Sequence, residues 1–216
     1  MKTDAQLKKD VESELEWDPA INAAHIGVMA QNGVVTVTGH LGTYGEKFLV
    51  ERAVQRVQGV RALALELDVK LAPSHTRSDS EIAAAAEDAL TWNAQVPAGI
   101  RLNVEQGWIT LQGDVEWDYQ RNAAARAVRT LKGVVGVSNN IVLKQRPVQS
   151  SVKARIRDAL VRQAESEAQH IDVLLDGSEA RLRGTVHSWP ERAAAQGAAW
   201  SAAGVTSVVN ELKVSS

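Results

Sequence analysis

The chain has 216 residues, with 24 Lys and Arg against 26 Asp and Glu, and no cysteine. That near-balance gives no one-signed basic face for nucleic acid, and the missing cysteines exclude disulfides, thiolate catalysis and cysteine metal sites. The chain contains no run of 18 apolar residues, so no transmembrane helix is expected, and the polar start from Met1 to Asp10 lacks the apolar core of a secretory signal, so a soluble, cytoplasmic protein is expected.

In chain order, Leu7, Val11 and Leu15 recur at intervals of four and predict a first helix. A hairpin follows: Ile26 to Ala30, a turn at Gln31-Asn32-Gly33, then Val34 to Leu41. Asn32-Gly33 suits a type I′ turn, where both central residues take positive φ, and alternation puts Val35 and Val37 inward. This second strand closes on Gly39, any residue, and an aliphatic. A second helix carries Leu49, Val50, Ala53, Val54 and Val57 on one stripe. The pair Gly59-Val60 comes 20 residues after Gly39, and Leu63, Leu65, Leu67 and Val69 alternate along a closing strand.

The same order returns twice. Gly39 recurs as Gly113 and Gly184, and Gly59 as Gly133 and Gly204, with offsets of 74 and 71 residues for both members of the pair. First helices are expected through Ile82, Ala85, Ala86, Ala89 and Leu90, and through Val152, Ile156, Ala159 and Leu160, with Ser80 and Ser151 as N-caps. The middle strands point Ile109 and Leu111, or Ala180 and Leu182, inward. The second-helix stripes become Ala123, Ala124, Ala127, Val128 and Leu131, then Ala194, Ala195, Ala198, Ala199 and Ala202. Because that stripe loses volume along the chain, the last helix is expected to lie closest to its sheet. The fold class is therefore α+β: three tandem αββαβ repeats, each a small three-stranded mixed sheet with two helices on one face. The domains are expected at residues 1–72, 76–145 and 148–216, joined by linkers holding Pro73 and Pro147. Repeats of about 70 residues have cores worth no more than ~3–5 kcal/mol each, so they are expected to lean on one another and unfold together.

With this order, the Gly-x-aliphatic motif, the following Gly-Val pair, and the ends Asn139 to Leu143 and Asn210 to Val214, the chain resembles three tandem BON domains. The likeness covers residues 4–71, 79–145 and 150–216, and its style is that of the osmotically inducible members. The resemblance implies a non-enzymatic, stress-associated module that binds an anionic phospholipid surface or a protein partner. It also implies an alternative: a soluble binder of a small ligand or a cation such as potassium, at a cleft between repeats.

Chemistry outside that resemblance is sparse. The five histidines show no metal-ligand spacing; His25 and His170 share a repeat position and read as surface or capping residues. There is no nucleophile elbow, no phosphate loop, and no basic Gly-x-x-Gly clamp for RNA. Carboxylate pairs such as Glu87-Asp88 read as solvated helix faces, so no enzyme, cofactor or metal is expected. Asn139 and Asn210 fall in the inward register and are expected to satisfy loop backbone groups.

Six tryptophans against one phenylalanine is an odd balance. The loop after each motif carries Tyr44, then Trp117 and Tyr119, then Trp189. These suit a membrane interface, where one end of the ring is apolar and the other stays wet, or a lid over the second helix. Trp17 and Trp92 end first helices and are expected in the core. Trp108 opens a strand on the face away from its helices. Trp200 lies off the inward stripe and is expected to point outward, to a neighbouring repeat or a partner.

Overall fold

A computed structural model describes residues 2–145, 151–163 and 171–214. The first repeat runs α1 (Asp4–Trp17), β1 (Ile26–Gln31), β2 (Val34–Leu41), α2 (Tyr44–Arg56) and β3 (Ala62–Val69). The second runs α3 (Asp79–Thr91), β4 (Arg101–Glu105), β5 (Trp108–Val115), α4 (Asp118–Val128) and β6 (Gly136–Leu143). The third runs α5 (Val152–Gln163), β7 (Ile171–Asp176), β8 (Glu179–Val186), α6 (Trp189–Trp200) and β9 (Ser207–Val214). Three separate three-stranded sheets result, each with its motif strand in the middle. In the first, β1 and β2 pair antiparallel while β2 and β3 pair parallel, with Val35 opposite Leu63 and Val37 opposite Leu65. The third repeats that pattern, with Ala180 opposite Val208 and Leu182 opposite Asn210. A parallel pair needs a crossover element, and α2 and α6 supply it.

Each sheet buries one face. Val35, Val37, Ile109, Leu111, Ala180 and Leu182 are fully enclosed. Each enclosed valine, leucine or isoleucine stabilises by roughly 1.5–3 kcal/mol, and the Ala180 methyl by about 0.8 kcal/mol. Against them lie the stripes Leu7–Val11–Leu15, Ile82–Ala86–Leu90 and Val152–Ile156–Leu160 of the first helices. Ala85 and Ala194, expected on inward stripes, are exposed instead. Residues 2–142, repeats one and two, form one compact unit, and residues 143–216, repeat three, another.

Polar details fix the corners. The Asn32 and Gly33 φ values of 51° and 76° make the expected turn, and Gln106 and Gly107 copy it at 50° and 76°. The Asp4 carboxylate accepts from the Asn32 and Gly33 amides at 2.9 and 3.3 Å, and Asp79 accepts from Gln106 and Gly107 at 2.8 Å each. One first-turn aspartate thus clasps each of these hairpins to its helix. The N-cap of α3 is Ser78, not Ser80: its hydroxyl accepts from the Glu81 amide while the Glu81 carboxylate accepts from the Ser78 amide. The reciprocal box needs its acid at the third helical position, which only Ser78 satisfies. Ser151 immediately precedes α5.

The motif glycines explain themselves. Gly39, Gly113 and Gly184 sit at φ of 129°, 140° and 133°, a region open essentially to glycine alone. A Cβ on Gly39 would stand 2.0 Å from the His25 carbonyl oxygen. The second glycine lets its loop meet the first helix: a Cβ on Gly133 would stand 2.8 Å from the Ile82 side chain, and the valine that follows it is buried.

Candidate interaction surface

Trp17 is the last residue of α1 and Trp92 the C-cap of α3. Each stands two residues past its buried stripe, which ends at Leu15 or Leu90. At 3.6 residues per turn two steps rotate roughly 200°, so both indoles turn away from the core. They are 84% and 87% exposed, which corrects the expectation that they are core residues. Carboxylates flank both: Glu14, Glu16 and Asp18 around the first, Glu87 and Asp88 before the second. Two of these are engaged, Arg56 reaching Glu14 at 2.8 Å and Asp18 at 3.6 Å.

The motif-following aromatics are helix starts rather than loop residues. Tyr44 opens α2, half-buried, and meets Phe48 edge-on at 5.4 Å. The Arg129 guanidinium lies 4.2 Å over the Phe48 ring, so these three side chains join repeats one and two. Burial, with Arg126 and Arg52 adding to it, lowers the Arg129 pKa below the usual arginine value. Trp117 is the half-buried N-cap of α4; its amide and that of Glu116 donate to Gln120 Oε1 at 3.0 Å each. Tyr119 is 52% exposed. Trp189 opens α6 half-buried, with the Arg192 guanidinium 5.4 Å from its ring. Arg192 in turn donates to the backbone oxygens of Asn210 and Leu212 at 2.9 and 3.1 Å.

Trp200 does not point outward. It is half-buried and packs against the core of repeat three, because the alanines of α6 leave room beside that core for an indole to lie back. Trp108 lies on the outer sheet face as expected. Its Nε1 donates to Ser138 Oγ at 2.9 Å, and its ring covers Gly136, where an added Cβ would stand 2.3 Å from it.

Asn139 and Asn210 bind helix backbone, not loops. Asn139 Nδ2 donates to the Arg121 carbonyl at 2.9 Å and Asn210 Nδ2 to the Arg192 carbonyl at 3.3 Å. Each side-chain oxygen accepts from the amide two residues on, at Ile141 or Leu212. Each amide therefore ties the closing strand to the second helix. His25 is exposed and stacks on His40 with centroids 4.4 Å apart; His170 lies outside the described residues. Among the described residues no three His, Asp or Glu gather as metal ligands. Sequence reasoning passed over Phe48 and Arg129. Their signal was a lone phenylalanine just before the inward stripe of α2.

A family model of the BON domain matches residues 3–70, 78–145 and 149–216. Comparison with curated proteins gives no match. Among solved structures, the C-terminal domain of CdsD, a structural protein of the type III secretion system of Chlamydia trachomatis, is 16% identical. The alignment covers 100% of each chain at a TM-score of 0.28. A second CdsD structure is 17% identical over 96% of this chain and 91% of that one, at 0.26. Overlays at such scores carry no weight for the arrangement of the repeats. No helix among the described residues is long and apolar enough to cross a membrane. With the αββαβ order repeated three times and matched almost end to end, the chain belongs to the BON domain family, known for membrane- and phospholipid-associated stress proteins.

Proposed function

We propose that this chain is a non-enzymatic, stress-associated binding module that attaches to a phospholipid surface through Trp17 and Trp92. One observation carries the reading: two tryptophans at matching places in repeats one and two, each more than four-fifths exposed. A single exposed apolar side chain is ordinary, but here the same large ring is exposed at the same helix position in two repeats, and the indole favours the headgroup boundary. An indole offers roughly 150–250 Å². At about 25 cal/mol per Å², full withdrawal from water gives an upper limit near 4–6 kcal/mol for each. The carboxylates beside both indoles oppose an anionic surface, where each charge counts for about 1 kcal/mol. A zwitterionic surface is therefore the proposed target, in place of the anionic one that the family resemblance implied.

The test is co-sedimentation with vesicles of phosphatidylcholine, alone and mixed with phosphatidylglycerol. The protein should pellet with phosphatidylcholine, less so as phosphatidylglycerol is added, and the Trp17→Ala/Trp92→Ala double variant should stay in solution. Pelleting unchanged by the double substitution, or none with either vesicle, overturns the proposal.

A further inference from the structure

The first helices align on their buried stripes, Leu7–Val11–Leu15 with Val152–Ile156–Leu160, and the second helices on their motif glycines, Gly39 with Gly184. In repeat one, Arg56 of α2 crosses to Glu14 and Asp18 at the end of α1, with Val57 beside it. Repeat three has Ser201 in place of Arg56, Ala202 in place of Val57 and Ala159 in place of Glu14. The bridge and its packing are removed from both helices at once. A cavity of about 350 Å³ lies there between α5 and α6, floored by Ile156, Ala159, Ala198 and Ala202. That is within the size range of small-ligand sites, about 300–1,000 Å³.

The rim is charged. Arg155 and Arg162 both line the cavity, with Asp158 between them along α5, which leaves the rim with one net positive charge. Among the described residues neither guanidinium forms an ion pair. Guanidinium forks match carboxylate oxygens in bidentate fashion. Asp158 opposes a second negative charge on the same ligand, which selects a carboxylate over a phosphate dianion.

We infer that this cavity binds a small amphiphilic monoanion as a free molecule, its aliphatic body on the isoleucine–alanine floor and its carboxylate between Arg155 and Arg162. The site belongs to repeat three and uses neither Trp17 nor Trp92.

Isothermal titration of the full chain tests it, with decanoate kept below micellisation as the probe. Decylammonium, with the same tail and opposite charge, and inorganic phosphate, with no tail, are the controls. Decanoate should saturate one site, with both controls at least tenfold weaker. Ala202→Leu installs the residue that repeat two carries there, Leu131, and fills the cavity. It should abolish decanoate binding with the melting temperature unchanged or raised. Arg155→Ala/Arg162→Ala, confined to exposed positions, should weaken binding at least tenfold and decides the matter if Ala202→Leu fails to fold. Non-saturable uptake, equal affinity for decylammonium, or full affinity in the arginine double variant overturns the inference. All these variants should pellet with phosphatidylcholine vesicles as the parent does. Loss of pelleting in the arginine variant would make the occupant a bilayer lipid and overturn the free amphiphile.

Discussion

Replacing Gly39 by alanine tests the motif that organises the whole chain. At φ of 129° an L-residue is held in a region that costs on the order of 1–3 kcal/mol. The added Cβ would also stand 2.0 Å from the His25 carbonyl oxygen, a separation no relaxation of side chains can mend. β1 must move where Ile26 pairs with Gly39, loosening strand hydrogen bonds worth about 1 kcal/mol each. The sum is about 3–5 kcal/mol, a large part of a typical domain's ~5–15 kcal/mol. Gly113→Ala is the control. Its φ is 140°, but its nearest neighbour, the Gly99 carbonyl oxygen, would be 3.0 Å away, so strain of about 1–3 kcal/mol is expected with a smaller backbone adjustment than at Gly39. Gly113→Val should cost more than Gly113→Ala, since branching at Cβ tightens the same conflict. Urea denaturation of the full-length variants measures all three. A Gly39→Ala midpoint equal to the parent's at unchanged slope, or a change milder than that of Gly113→Ala, would refute the steric reasoning.

Two further outcomes follow from the unit made by repeats one and two. Phe48→Ala and Arg129→Ala should each destabilise it, and a double-mutant cycle should give a coupling of about 0.5–2 kcal/mol; a coupling near zero would show that the 4.2 Å contact does not hold the repeats together. His40 has its pKa lowered, chiefly by burial and then by Lys70 and the stacked His25. The folded state therefore binds this proton less readily than the unfolded chain. The stability from neutral His40 is fully present above the ordinary value of 6.5 and declines as pH falls below it. His40→Asn should flatten the acid side of the denaturation midpoint against pH, and an unchanged slope would contradict the assignment.

Much of the fold was legible because two periods carry it. Val35, Val37 and their counterparts alternate, Leu7, Val11 and Leu15 recur by fours, and burial obeys both. Residue type misleads where it conflicts with helical phase. Large apolar residues at a helix end, Trp17 and Trp92 suggest core, yet two steps past the stripe put them on the opposite side. Ser80 suggests a cap by its nearness to Glu81, whereas the box requires the residue three before that acid, Ser78. The alanines of α6 suggested a helix closer to its sheet, but part of the lost volume remains as the cavity beside Ala198 and Ala202. That space depends on the facing helix too, where Ala159 stands in place of Glu14. Only the alignment of both helices with repeat one makes it visible. The contact of Phe48 with Arg129 joins two repeats, and no pattern within one repeat can announce it.

Fluorescence on brominated phosphatidylcholine vesicles tests the membrane attachment most directly. In a variant with Trp108, Trp117, Trp189 and Trp200 replaced by phenylalanine, the emission comes from Trp17 and Trp92 alone. Free in solution it should be red-shifted and openly quenched by iodide, as 84% and 87% exposure requires. With vesicles it should move to the blue, escape iodide, and be quenched by bromine on the acyl chains. Emission that stays red and iodide-accessible with lipid in excess would contradict attachment through these two residues.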